Sequence, residues 1–149
     1  EKLDHVKAIK NTIVGDSYVI NDDLMVPIMV KSNKEIKKEL LDRWDEIKNF
    51  TSNPLIGGLA SNMLDAHPLV CSKDVLILEF QMQSVVDKFN KVENQKVIQD
   101  IVFNAFGKHL FVYSITRKQS VDYQRIYSEM KQLDKLPKPD SVVIEFEGE

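Results

Sequence analysis

The sequence is short of the residues that most chemistries need. Its single cysteine, Cys71, excludes an internal disulfide framework and any zinc site built on several thiolates. Three histidines, His5, His67 and His109, lie far apart with no His-x-x-x-His spacing, so no metal or cofactor is expected. Five glycines leave little for loop-rich architectures. The adjacent pair Gly57 and Gly58 lacks both the spacing and the following Lys-Ser/Thr of a phosphate-binding loop. No apolar run approaches the roughly 18 residues of a membrane span, and no charged-then-apolar leader opens the chain. A cytoplasmic protein with no membrane partner is the expectation. Because the first residue is Glu1 and not Met, the chain is also expected to be a piece of a longer one.

What is present is balanced. Hydrophobic residues make up 43% and charged residues 29%, which is the composition of a globular chain and not a disordered one. A length of 149 residues suits one domain, or one with an appended helical arm. With 20 basic and 23 acidic residues the net charge is −3, which argues against a free-standing nucleic-acid binder. The excess is confined to one place. Over residues 138–149 one lysine, Lys138, stands against Asp140, Glu145, Glu147 and Glu149, so the body before it is neutral.

Hydrophobic spacing divides the chain. Residues 1–20 are ambiguous: Leu3, Val6, Ile9 and Ile13 have near-helical spacing, while 17–20 reads as extended. Asn21, with Asp22 and Asp23 after it, starts a helix that tolerates Pro27 near its beginning. Asn33 caps a helix predicted over 34–50, with Ile36, Leu40, Trp44 and Ile47 on one face and Glu39–Arg43 as a supporting pair. Another helix begins at Pro54, carries Leu55, Leu59 and Met63, and stops near Ala66; close packing against another helix would explain Gly57 and Gly58.

The period then switches to two. A hairpin is predicted from 69–71 and 75–80 around Ser72, Lys73 and Asp74, and a further strand over 110–115. Helices are predicted over 84–89, 92–106 and 121–133, the middle one with Val97, Ile101, Val102 and Ala105 inward and Gly107 as its stop. Residues 141–146 read as a strand with no obvious place in that sheet. The fold class is α+β, with N-terminal helices followed by a small sheet packed with helices. The divisions are 1–20, a linker or N-terminal extension; 21–66, a helical part; 67–136, an α+β body; and 137–149, an acidic C-terminal tail.

Catalytic candidates are weak. Cys71 with His109 is either a nucleophile pair or, as the residue type favours, a small buried apolar side chain and a surface histidine. Asp42, Asp45 and Glu46 alternate with lysines as a solvated face does. Nothing assembles a nucleophile, a base and an oxyanion donor, so this chain does not read as an enzyme. Binding is better supported. Tyr113, Arg117, Lys118, Tyr123, Arg125 and Tyr127 cluster in sequence and are rich in hot-spot residue types. Tyr123 and Tyr127 either face a partner or pack the last helix onto the sheet. Val142, Val143, Ile144 and Phe146 either enter a partner's groove or add a strand to it, or form an edge strand of their own domain.

The order of these features resembles the C-terminal domain of the gamma/tau subunit of bacterial DNA polymerase III, most closely its low-GC Gram-positive form. The residues are Trp44-Asp45-Glu46-Ile47-Lys48, then a helix, then Ala66-His67-Pro68-Leu69-Val70 leading into Ser72-Lys73-Asp74-Val75-Leu76-Ile77-Leu78-Glu79-Phe80. Glu93-Asn94 open a helix ending at Phe106-Gly107, and the strand over 110–115 follows; upstream, Asn21 to Met25, Ile28 to Val30 and Asn33-Lys34 extend the likeness over about 18–130. The resemblance implies a KH-like topology and a non-catalytic domain that binds the replicative polymerase catalytic subunit. It would tether that subunit to the clamp loader, whose other subunits contact a region this chain lacks. Nucleic acid is at most a weak partner. The alternative is a KH-like module for single-stranded nucleic acid, against which stand the missing Gly-x-x-Gly loop and the charge balance. On this reading, deleting residues 138–149 abolishes polymerase binding and leaves the body folded, as calorimetric titration of the truncated chain would show.

Overall fold

The computed structural model describes residues 7–146. Three short strands come first, β1 (Lys7–Ile9), β2 (Thr12–Val14) and β3 (Ser17–Val19). Between β2 and β3 a two-residue loop places Gly15 at φ 65°, a left-handed backbone that glycine adopts without strain. Helix α1 (Asp22–Val30) starts where Asn21 predicts, its side chain accepting from the Leu24 amide at 3.1 Å. Asn33 caps α2 (Lys34–Arg43) in the same way, accepting from the amides of Glu35 and Ile36.

The single helix expected over 34–50 is two. After Arg43 the chain tightens into a 3₁₀ helix, Trp44–Phe50. Three residues per turn align Trp44, Ile47 and Phe50 on one face, and the Trp44 indole N–H donates to the Met63 carbonyl at 2.8 Å. The change also redirects charges. Arg43 grips Glu46 at 2.7 Å, three residues on, while Glu39 pairs with Lys108 at 3.1 Å. Helix α3 (Gly57–Asp65) begins later than Pro54, leaving Leu55 almost wholly exposed. Gly57 is required by close approach of a different kind from the one expected: a Cβ there would collide with the Thr51 carbonyl, whereas Gly58 faces open space.

Strands β4 (His67–Cys71) and β5 (Val75–Phe80) form the predicted hairpin, with Ser72 Oγ accepting from the amides of Asp74 and Val75. Helix α4 (Gln83–Phe89) and helix α5 (Val92–Phe106) follow, and Gly107 ends α5 at φ 72°. After β6 (Phe111–Thr116), helix α6 (Arg117–Gln132) starts four residues earlier than predicted, because Thr116 and Gln119 make a reciprocal capping box. A 3₁₀ turn, Pro139–Ser141, leads to β7 (Val142–Ile144).

The main sheet has the order β4-β5-β6, antiparallel then parallel. Every residue of β5 is buried, since both faces are covered. Leu76, Leu78, Phe80 and Val112 pack with Trp44, Met63, Phe89 and Ile98 on one side. Val75, Ile77, Phe111, Tyr113 and Ile115 pack with Met25, Ile28 and Tyr123 on the other. The second side is completed from both ends of the described chain. Ile9 and Tyr18, in the stretch read as a linker or extension, are buried there, and β1 pairs in parallel with β7. The class is α+β as expected, with strands preceding the helical part.

The outer edge of β6 is closed by side chains instead of by another strand. Gln95 accepts from the Val112 amide at 2.9 Å and donates to its carbonyl at 2.8 Å. Asn90 does the same for Ser114, at 2.9 Å in both directions. Each carboxamide offers one donor and one acceptor in the places a strand would, which removes the edge as a template for association. Replacing Gln95, buried on α5, by leucine leaves two backbone groups unpaired. Urea unfolding of Gln95→Leu is expected to show a loss of about 3 kcal/mol; a loss below about 1 kcal/mol would mean that water replaces the carboxamide.

Candidate functional site

The C-terminal segment is folded onto the body. Val142 is buried, and the Phe146 ring meets Phe111 edge-to-face at 5.1 Å and Tyr113 at 5.8 Å. The Glu145 amide donates to the Ile9 carbonyl at 2.9 Å, and Lys31 Nζ donates to the Pro139 carbonyl at 3.0 Å. The two-residue strand period divides the four apolar side chains. Val142 and Phe146 are held in the protein's own core and Ile144, half-buried, packs against it, while Val143 on the other face is 41% exposed. Insertion of all four into a partner would require stripping β7 from β1, and so corrects the picture of a free adhesive end. Glu147 and Glu149 lie outside the described residues, as does His5.

The tyrosine and arginine cluster does not form one patch. Tyr113 is fully buried, its hydroxyl has no hydrogen-bond partner among the described residues, and burial pushes its phenol up. Tyr123 is buried and donates to the Ile20 carbonyl at 3.3 Å, so it fastens α6 to the segment before α1. Arg117 reaches Glu79 at 3.5 Å and Arg125 reaches Glu129 at 3.4 Å. Tyr127, one turn beyond Tyr123, is only half-buried and reaches the surface.

Cys71 is 1% exposed and donates weakly to the Ser72 carbonyl. Burial pushes its thiol up to about 12, against the pull of Lys108 and Lys37, so it stays protonated at neutral pH. His109 is stacked on Phe103 at 4.3 Å instead of facing the thiol. Among the described residues no three His, Cys, Asp or Glu side chains group as metal ligands would.

What the structure does assemble is a shallow groove of about 210 Å³ along β4, lined by Met29, Leu69 and Tyr127 with Lys34 and Lys37 beside them. Of the residues that line it, Tyr127 and Cys71 are the candidates the sequence singles out. Met29, Lys34, Lys37 and Leu69 come from the end of α1, the start of α2 and β4, elements that no local pattern connects.

An α+β domain with an apolar, lysine-edged groove is the class that fold and surface define. No family model matches the chain, and no curated protein or solved structure matches it either. Among the described residues no helix is long and apolar enough to cross a membrane.

Two outcomes follow from the packing. Phe146→Ala is expected to destabilise the protein by about 3 kcal/mol in thermal or urea unfolding, and removal of 138–149 by more; an unchanged transition would return the segment to a free tail. For Cys71, the folded state keeps a proton that the unfolded chain releases above 9.0. Stability therefore falls as pH rises from there toward about 12, and Cys71→Ala removes that part of the slope. Iodoacetamide near neutral pH should leave native Cys71 unmodified while labelling the urea-unfolded chain.

Proposed function

We propose that this chain is the polymerase-binding C-terminal domain of a gamma/tau subunit of bacterial DNA polymerase III, with a KH-like arrangement of its sheet. In this role it tethers the replicative polymerase catalytic subunit to the clamp loader during chromosome replication. The observation that carries the reading is where the family-like residues fall. Trp44 opens the 3₁₀ helix and docks on α3, and Ala66 to Val70 lead into the β4–β5 hairpin. Glu93 and Asn94 lie in the first turn of α5, which ends at Gly107 before β6. The signatures thus serve as the joints of one core, as residues of a shared scaffold would.

A tethering domain works by surface alone, which fits side chains that make packing contacts and a thiol held protonated. Isothermal titration of this chain with the purified replicative polymerase catalytic subunit is expected to show saturable one-to-one binding in the micromolar range or tighter. Absence of heat at concentrations of tens of micromolar, with single-stranded DNA bound instead, would move the domain to the nucleic-acid class.

A further inference from the structure

The groove along β4 combines charge of one sign with apolar walls. Its charged lining residues, Lys34 and Lys37, are both positive, and neither enters a salt bridge among the described residues. Met29, Leu69 and the half-buried ring of Tyr127 supply apolar walls between which a side chain can leave water. The third feature is backbone. β4 is an edge strand, and it carries a bulge: Pro68 stands opposite Leu78 and Val70 opposite Ile77, so Leu69 has no cross-strand partner. Bulges at sheet edges re-aim side chains and commonly flank sites.

We propose that this groove receives an acidic peptide segment of a partner protein. One apolar side chain of the peptide seats between Met29, Leu69 and Tyr127, while its carboxylates meet Lys34 and Lys37. Charge complementarity selects the acidic partner, because the lining holds two free ammonium groups and no acid. A peptide fits better than single-stranded nucleic acid, which needs a longer basic track and several exposed rings for stacking. The inference rests on the reading of the chain as a protein-binding domain, but not on which protein it binds.

The test is an NMR titration of the isotope-labelled chain with three probes. The first is a short synthetic peptide alternating glutamate with leucine and phenylalanine; the second has lysine in place of glutamate; the third is an oligothymidylate. The glutamate peptide alone is expected to shift the amides of Lys34, Lys37, Leu69 and Tyr127. Its affinity should fall about tenfold in the Lys34→Glu, Lys37→Glu double variant and weaken with added salt. Both lysines are on the surface, and an unchanged spectrum elsewhere reports that the variant is folded. The proposal is overturned by absent shifts at millimolar peptide, by equal shifts from the lysine peptide, by preference for oligothymidylate, or by undiminished affinity in the double variant. Titrating the polymerase subunit in parallel separates the two readings. A chain that binds the glutamate peptide in the groove but not the polymerase keeps the groove and loses the tethering role.

Discussion

The parallel pairing of β5 with β6 governs most of what surrounds it. Parallel neighbours cannot be joined by a tight turn, so the chain must cross over one face of the sheet, and α4 and α5 are that crossover. Their junction passes beside the outer edge of β6, where Asn90 and Gln95 satisfy the backbone of Ser114 and Val112. The same junction holds the β2–β3 hairpin, since the Tyr18 amide donates to the Asn90 carbonyl and the Val92 amide to the Asp16 carbonyl. One topological constraint thereby closes a strand edge and fixes the N-terminal hairpin.

The opposite face of the sheet is finished by residues distant in sequence. Tyr18 stands edge-on to Phe111 at 4.8 Å, and Phe146 approaches the same ring from the other end of the chain. The acidic end is consequently part of the fold up to Phe146, with Val142 and Phe146 buried and Glu145 exposed. With β6 closed by carboxamides, β4 is the other edge of the main sheet, and it is there that unpaired lysines and apolar walls come together. The groove lies between α1, α2, β4 and α6, away from the C-terminal segment packed on β1.

Much of the fold was legible because its signals are local. Asn21, Asn33 and Gly107 act on backbone groups within a turn of themselves, and each begins or ends its helix where expected. The apolar run 75–80 marked a strand, which the structure covers on both faces. Other local signals were present in the sequence: Gly15-Asp16 between Thr12-Ile13-Val14 and Ser17-Tyr18-Val19 is a hairpin loop, and Thr116 with Gln119 is a capping box. The break after Arg43 was a different matter, since Trp44 continues the helical spacing and only the Met63 carbonyl, on another helix, explains its conformation. Of the candidate site, the sequence offered Tyr127 and Cys71 and could not supply Met29, Lys34, Lys37 or Leu69, which meet only when three helices and a strand converge.

The amino-acid sequence by itself determined the class of fold, the balance of a neutral body with an acidic end, and the lack of metal-ligand spacing. These follow from composition and from periods of two and about 3.6 residues, which any short window reveals. Tertiary structure alone decided which tyrosine is buried, which of four neighbouring apolar residues are held in the core, and which lysines stand free. Those outcomes depend on what packs against each side chain from elsewhere in the chain. Burial is a property of neighbours in space, and the sequence names only neighbours along the chain.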